Sequence, residues 1–505
     1  MSSPKPMLSD LEYQRHDGVA LAQLVQRGEV TPQELLNCAI AAIERNNPAL
    51  NAVVTRLYDE ARVSSNSMLG DSVLSGVPLL LKDLTSAYAG ARMTFGSRFF
   101  RSFVPDHDSE LLRRYKQAGL IIVGKTNTSE FGLLPVTESE LLGPCSTPWD
   151  VTRTAGGSSG GAASAVASGM VPIGHGSDGG GSLRIPASCC GVFGFKPSRG
   201  RTPCGPDAGE LWLGLGVEHA ITRSVRDSAA LLDLSCAPDP TAPYNTQAPV
   251  RPYLEEAGRD PSKLRVAFTA QPHLPATVHP DCIAAVHDAA TLCEDLGHTV
   301  EEASPKVDRD LLAQTFFQLV CAAAASALEL GEEALKKRPR RSDFETDTWI
   351  MAMLGCGVHS GQFIAVKRKL EIQARVALRC FEQYDVVLTP TLGRPPVRHG
   401  QLRPRGLEQW GHELLARAPL VARLAQDAIV QKASSRVFGF IPFTPLHNAT
   451  GQPSMSVPLF WNERGLPIGT LFSAKPGNEG ILFALAGQLE RARPWAHRLP
   501  PRASS

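Results

Sequence analysis

Two glycine clusters in this sequence carry serines. They are Gly156-Gly-Ser158-Ser159-Gly-Gly161 and Asp178-Gly179-Gly180-Gly181-Ser182, with Ser158 and Ser182 24 residues apart. Glycine reaches backbone conformations closed to other residues, so three glycines before a serine let successive N–H groups converge on one point. Beside a nucleophilic serine such a nest is an oxyanion hole. A flexible Gly/Ser linker would share this composition. Here Met170-Val-Pro-Ile173 interrupts the stretch and Leu183-Arg184-Ile-Pro186 closes it, which is not linker composition. A serine nucleophile needs a base. Lys82 ends the apolar run Val77-Pro-Leu-Leu-Leu81. Burial there would favour the neutral amine and lower its pKa by up to about 3–5 units, which makes a base near pH 7. A strand-end lysine paired with Asp83 is the competing reading. On composition alone that competing reading is the favoured one.

Three other motif matches fail on their physical context. Gly119-Leu-Ile-Ile-Val-Gly124-Lys125-Thr126 spells a phosphate loop, but Leu, Ile, Ile and Val want to be a buried strand rather than a curled loop. Gly174-His-Gly176-Ser-Asp-Gly179 spells a dinucleotide fingerprint. About 20 residues on it has Arg199 where an acid is required. Gly156-Gly-Ser158-Ser-Gly160 spells a nucleophile elbow, but the lead-in Pro148 to Thr154 is polar. No H-E-x-x-H and no paired Cys/His spacing offers a metal site.

The elements that would carry these residues are helices first, then strand and helix in alternation. Asp17-Gly-Val-Ala-Leu-Ala-Gln-Leu-Val has apolar positions at helical spacing. Thr31-Pro-Gln-Glu is a capped helix start, and the pattern predicts a helix to about Arg45, stopped by Asn47-Pro48. Short apolar runs at 76–83, 120–123 and 384–390 predict strands, and 113–119, 283–296 and 311–335 predict helices. Helix followed by buried strand is an α/β signature. Pro- and Arg-rich stretches near 236–262 and 393–406 predict surface excursions. Length alone, at 505 residues, suggests about three domains. The lack of a linker or repeat favours one large α/β domain.

Composition bounds the function. Hydrophobic residues make up 43% and charged residues 20%, as in a globular protein. Lys+Arg of 51 against Asp+Glu of 50 argues against broad capture of nucleic acid or anionic membrane. No apolar run reaches the roughly 18 residues of a membrane span, and the start Met1-Ser-Ser-Pro-Lys-Pro has no signal-peptide character. Eleven scattered cysteines read as reduced thiols in a cytoplasmic protein.

With these residues in place, the sequence resembles the amidase signature family. The run Gly157-Ser158-Ser159-Gly-Gly through Gly176-Ser177-Asp178-Gly-Gly-Gly181-Ser182-Leu-Arg184-Ile-Pro-Ala-Ser188 carries the resemblance. Gly76 to Asp83, Gly124 to Gly132, Gly194 to Gly200, Asn448 to Pro458 and Gly465 to Gly469 look like family segments in family order. The resemblance covers about 10–497, with the signature core at about 76–200. The text around Lys82 and Asn448 is most similar to 6-aminohexanoate cyclic dimer (nylon oligomer) hydrolases and related linear-amide hydrolases.

The resemblance implies a single amidase domain over 1–505. Its fold would be a central mixed twisted β-sheet covered by helices on both faces. It implies a Ser-Ser-Lys triad, with Ser182 as nucleophile, Ser158 as the bridging serine, usually after a cis peptide, and Lys82 as base. Residues Gly179, Gly180 and Gly181 match the oxyanion loop. Asp178 and Arg184 match positions that brace it, and Ser159 and Ser177 match supporting positions. Gly179 stands where many members carry Ile, Thr or Ala. The implied reaction is hydrolysis of non-peptide C–N bonds in small or oligomeric amides through a serine acyl-enzyme, with no metal and no cofactor, and cleavage of esters or urethanes is left open. The implied partner is a small-molecule amide. Nucleic acid and membrane are not expected, and a homodimer is left open. The apolar helix Leu312 to Leu330, with Phe316, Phe317 and Cys321, reads either as a pocket wall or as a plain core helix, and Phe131, which follows a motif, is a candidate to approach the site. The competing functions are the glutamine-hydrolysing component of a tRNA amidotransferase complex and a binding protein on an inactive amidase scaffold.

Overall fold

The structure is a computed structural model. It describes residues 8–67, 70–244, 246–404, 416 and 436–501. The extreme N-terminus and positions 405–406 of the expected second excursion lie outside the described residues.

Eleven strands among these residues form one mixed sheet. In chain order they are β1 (Val53–Arg56), β2 (Pro78–Lys82), β3 (Ile121–Thr126), β4 (Ile173–Asp178), β5 (Phe193–Lys196), β6 (Val217–Thr222), β7 (Arg265–Phe268), β8 (Thr299–Glu302), β9 (Val386–Pro390), β10 (Ser454–Trp461) and β11 (Pro467–Ala474). Their spatial order is β1-β3-β2-β4-β6-β5-β10-β11-β9-β7-β8. β2 runs parallel to both β3 and β4, and β7 runs parallel to β8 and β9. Every residue of β2, β3, β4, β6, β9 and β11 is buried. Successive side chains point to opposite faces of a strand, so both faces of these strands are covered.

The strand that ends in Lys82 is therefore central. From Ile121 onward the Gly119–Thr126 stretch that spells a phosphate loop is β3, with Val123 and Lys125 buried in the sheet. The Gly174–Gly179 look-alike is mostly β4.

Helix α1 (Pro32–Leu50) starts where expected. The Thr31 side chain accepts from the Glu34 N–H and the Glu34 carboxylate accepts from the Thr31 N–H. It ends later than the sequence suggests, because Pro48 is accommodated in the last turn. The Asn47 side chain does not terminate it. Its Oδ1 accepts from Ala52 and Val53 and its Nδ2 donates to the Val53 carbonyl, which pins the entry to β1.

Four further helices position the site: α2 (Gly160–Ala167), α3 (Arg184–Cys190), α4 (Arg309–Leu335) and α5 (Thr346–Cys356). A fifth, α6 (Thr444–Thr450), comes from the C-terminal part. α4 departs from the expectation that no stretch suits a membrane. By length and composition it is long and apolar enough to cross one, because its alanines raise the mean hydropathy of an 18-residue window to 1.7. In the fold 56% of that window is buried inside the molecule, as in a core helix.

Candidate active site

Lys82 leaves the end of β2 with its side chain fully buried. Its Nζ donates to Ser158 Oγ at 2.7 Å and to Ser177 Oγ at 3.0 Å. Burial lowers its pKa to about 7, against the opposing charges of Asp178 and Glu218, which favour the protonated form. The amine is thus poised between its two states near neutral pH, as a general base requires. Asp83 is not its partner. The Asp83 carboxylate accepts from the Thr94 N–H and hydroxyl and lies 4.0 Å from Lys125.

Two more buried lysines compete on electrostatics alone. Burial also lowers Lys196 to about 7 and Lys125 to about 8. Lys196 donates to the Pro197 carbonyl, and Lys125 faces Asp83. Of these three, Lys82 is the one that touches a serine.

Ser158 follows a cis Gly157–Ser158 peptide bond, just before α2. A Cβ on Gly132 would sit 3.1 Å from Ser158 Oγ, so a side chain there would crowd the hydroxyl. Ser182 precedes α3 and opens onto an apolar cavity of about 120 Å³ that Gly132 and Gly180 also line. The Ser159 N–H donates to the Ser182 carbonyl at 3.3 Å, and Ser159 Oγ donates to the Ser177 carbonyl at 3.2 Å. These bonds tie the two serine clusters together.

The Gly179–Ser182 loop is held by Asp178. Its carboxylate accepts from the Gly181 N–H at 2.8 Å and the Leu183 N–H at 3.1 Å. It also takes a two-armed contact from Arg184, Nε at 2.9 Å and Nη2 at 2.8 Å. Burial alone would raise the Asp178 carboxyl. The Arg184 charge and its hydrogen bonds overcome this and hold it well below the usual carboxylate range.

One expectation changes here. The Gly181 N–H is engaged by Asp178, so it is not a free donor for an oxyanion. Gly181 instead serves the turn. It has φ +126, and a Cβ there would collide with Thr444 Oγ1. The expected donors then reduce to the N–H groups of Gly179 and Gly180, with that of Ser182 itself.

Two expected pocket residues are also corrected. Phe131 does not line the cavity. It is packed in an aromatic cluster with Phe95, Phe100 and Phe344, ring centroids 5.9–6.3 Å away, while the following Gly132 to Pro135 reach the cavity. Cys321 does not line it either. α4 presents Phe316, Phe317 and Val320 to the cavity, and at Cys321 its backbone packs on α5. The helices meet there backbone to backbone, since a Cβ on Gly355 would collide with the Cys321 carbonyl oxygen. Phe316 is at the cavity as expected.

Sequence reasoning assigned no role to several residues that the fold brings in. Thr444 Oγ1 donates to the Gly180 carbonyl at 2.7 Å. Asn448 Nδ2 donates to Asp178 Oδ1 at 2.8 Å, and its Oδ1 accepts from Arg184 at 2.7 Å. Behind Lys82, His175 Nδ1 accepts from the Lys82 N–H at 3.3 Å. His175 Nε2 lies 3.2 Å from Glu218, which also accepts from the Thr85 hydroxyl at 2.5 Å. Asn448 stood in a recognisable segment, but nothing local signals a partner 270 residues away. Among the described residues no group of three or more His, Cys, Asp or Glu could hold a metal ion.

A family model described as Amidase matches residues 34–483. The chain belongs to the amidase signature family. It is an amidase, a hydrolase of carbon–nitrogen bonds. It is 35% identical over 494 residues to a 6-aminohexanoate-cyclic-dimer hydrolase of Paenarthrobacter ureafaciens, covering 96% of each chain. A solved structure of 6-aminohexanoate cyclic dimer hydrolase complexed with substrate superposes with a TM-score of 0.89 at 34% identity, covering 97% of this chain and all of that one. A bacterial aryl acylamidase of the same family superposes with a TM-score of 0.80 at 25% identity, covering 98% of each.

Proposed function

We propose that this amidase acts through a serine acyl-enzyme on small amides with an apolar acyl part, of the 6-aminohexanoate-oligomer or aryl-amide type. The observation that carries the reading is the buried Lys82 amine, 2.7 Å from Ser158 Oγ, beneath the cavity onto which Ser182 opens.

In the proposed cycle neutral Lys82 takes the Ser158 hydroxyl proton while Ser158 takes that of Ser182. Ser182 Oγ attacks the amide carbon. The oxyanion rests on the N–H groups of Gly179, Gly180 and Ser182, where one such donor is worth about 2.7–4 kcal/mol of the barrier. As the C–N bond breaks, Ser158 gives its proton to the leaving amine and Lys82 reprotonates Ser158. Water then adds to the ester by the same relay, and the acid leaves Ser182.

The substrate class follows from the cavity walls. Leu134, Trp212, Phe316, Ile350, Met351 and Ile441 offer aliphatic and aromatic surface. Such walls gain by burying methylenes or a ring, at roughly 25 cal/mol per Å² removed from water. The same apolar walls, with 35% identity to a hydrolase, favour this reading over the tRNA amidotransferase one.

The test is a panel of acyl anilides, 6-aminohexanoate oligomers, carbamates and glutamine, run with wild type and Ser182→Ala. Turnover of anilides or oligomers that vanishes in a folded Ser182→Ala protein is the expected result. Turnover confined to glutamine, or unchanged by Ser182→Ala, would overturn the reading.

A further inference from the structure

Two aromatic rings lie directly on the oxyanion loop. A Cβ built on Gly179 would meet the Trp212 indole carbons Cε3 at 2.8 Å, Cδ2 at 3.2 Å and Cζ3 at 3.3 Å. A Cβ built on Gly180 would meet Phe316 Cζ at 3.2 Å. Ordinary carbon–carbon contacts are about 3.5–4.0 Å, so both rings already fill the space that a side chain would need. Both rings also line the cavity onto which Ser182 opens. We infer that Trp212, seated on Gly179 and sharing the cavity with Phe316, is a specificity-determining residue that restricts the enzyme to acyl groups unbranched at the carbon next to the carbonyl. This rests on the proposed acylation of Ser182.

Stereochemistry makes the link. In the acylation step the carbonyl oxygen points at the N–H groups of Gly179 and Gly180, and the carbonyl carbon is bonded to Ser182 Oγ. The chain of the acyl group must then leave past the rings that stand on that loop and line the cavity. A methylene or the edge of a flat aryl ring is thin in one direction. A carbon that bears a methyl branch is broad in every direction, and one of its substituents must press on the indole or on Phe316.

The backbone that carries the indole is fixed. Trp212 and Leu213 both have left-handed backbone conformations, at φ 49 and φ 59. Consecutive non-glycine residues persist there only where surrounding structure over-determines them. Here the Gly214 and Gly216 N–H groups donate to the Leu211 carbonyl, and the Leu215 N–H donates to the Trp212 carbonyl. The Leu215 carbonyl accepts from Asn448 Nδ2 at 3.0 Å. That same amide group donates to the Asp178 carboxylate, which holds the oxyanion loop. One side chain therefore braces both the loop and the wall that stands on it.

The experiment compares kcat/KM for butyryl and isobutyryl p-nitroanilides, isomers that differ in the branch. The proteins are wild type, Trp212→Ala, Trp212→Leu, Gly179→Ala and the double variant Gly179→Ala/Trp212→Ala, each checked for fold by circular dichroism. One methyl in a tight apolar site is worth about 10–200-fold, so wild type should prefer the linear isomer by that factor. Removing the indole should cut the preference at least about tenfold. Trp212→Leu supplies the reading should the alanine variant not fold. Gly179→Ala should lose about a hundredfold of activity, the scale of one oxyanion donor displaced. The double variant should regain at least about tenfold of it, because the ring is the obstacle. A preference unchanged within twofold in the Trp212 variants overturns the inference, as does a fully active Gly179→Ala protein or a double variant no better than Gly179→Ala. Failure of wild type on both anilides would count against the proposed substrate class instead. The branch selectivity is then read from the rates at which n-propyl and isopropyl fluorophosphonates label Ser182, with the same variants and the same criteria.

Discussion

Thr444 Oγ1 donates a 2.7 Å hydrogen bond to the carbonyl of Gly180, joining α6 to the oxyanion loop across 264 residues of chain. The bond orients the Gly180–Gly181 peptide, and on its other side the Gly181 N–H is held by Asp178. The peptide unit is thus fixed at both its carbonyl and its amide end before substrate arrives.

Thr444→Val keeps the shape and removes the donor. A net hydrogen bond is worth about 0.5–1.5 kcal/mol, so kcat should fall roughly two- to tenfold with KM little changed. Thr444→Ser should retain wild-type turnover. Steady-state kinetics on one anilide decides this, and a Thr444→Val protein with wild-type kcat would remove the positioning role.

Lys82 should set the acidic limb of the pH–rate profile. Burial favours its neutral form and brings its pKa to about 7, so the competent base fraction rises as pH rises through 7 and levels off above. Lys82→Ala should remove most activity, and Lys82→Arg should not restore it, because Arg stays charged. Glu218 favours protonated Lys82, so Glu218→Gln should move the limb to lower pH. Profiles of kcat/KM for the four proteins check this. A fully active Lys82→Arg enzyme would falsify the assignment of Lys82 as base.

Asp178 and Arg184 form an ion pair with no side-chain exposure at either partner. Asp178→Ala leaves the guanidinium buried without its counter-charge, so stability should drop by about 3–5 kcal/mol. Because the native Asp178 carboxyl is held below its unfolded value, its stabilisation is fully present above about pH 4 and is lost as pH falls toward the native value. Urea unfolding at pH 7 and at pH 3 measures both effects. A loss below about 1 kcal/mol at pH 7 would contradict the first.

The thiols should be bystanders. Cys145, Cys189, Cys190 and Cys321 are buried, and burial pushes each thiol up, Cys145 to about 12. None offers a thiolate at neutral pH. Their single alanine variants should stay active where folded, and iodoacetamide should modify the exposed Cys356 first without loss of turnover. Mass spectrometry of the labelled, assayed protein tests it. Complete inactivation by any one folded Cys→Ala variant would contradict the assignment.

The residue types and spacings alone made Ser182 a candidate nucleophile and Lys82 a candidate base, and the family resemblance joined Ser158 to them. Each stood in a local context with chemical meaning: a lysine ending an apolar run and serines bounded by glycines. Strand β2 and helix α1 were legible for the same reason, since apolar runs and capping residues act over a few positions. The rejection of the phosphate loop at Gly119–Thr126 was legible too, because four bulky apolar residues in a row dictate a strand. What tertiary structure decided is whatever depends on partners distant in sequence. Asp178 claims the Gly181 N–H, so one of three expected donors is occupied, and that choice comes from how the turn closes. Phe131 and Cys321 are apolar residues near the right segments, but Phe131 packs among Phe95, Phe100 and Phe344 and Cys321 meets Gly355 of α5 through its backbone, so neither lines the cavity. Thr444, Asn448, Glu218 and Trp212 carry no local mark. They matter because an eleven-stranded sheet brings β4, β6 and α6 to one place, and contacts across hundreds of residues are set by strand order rather than by neighbouring residues.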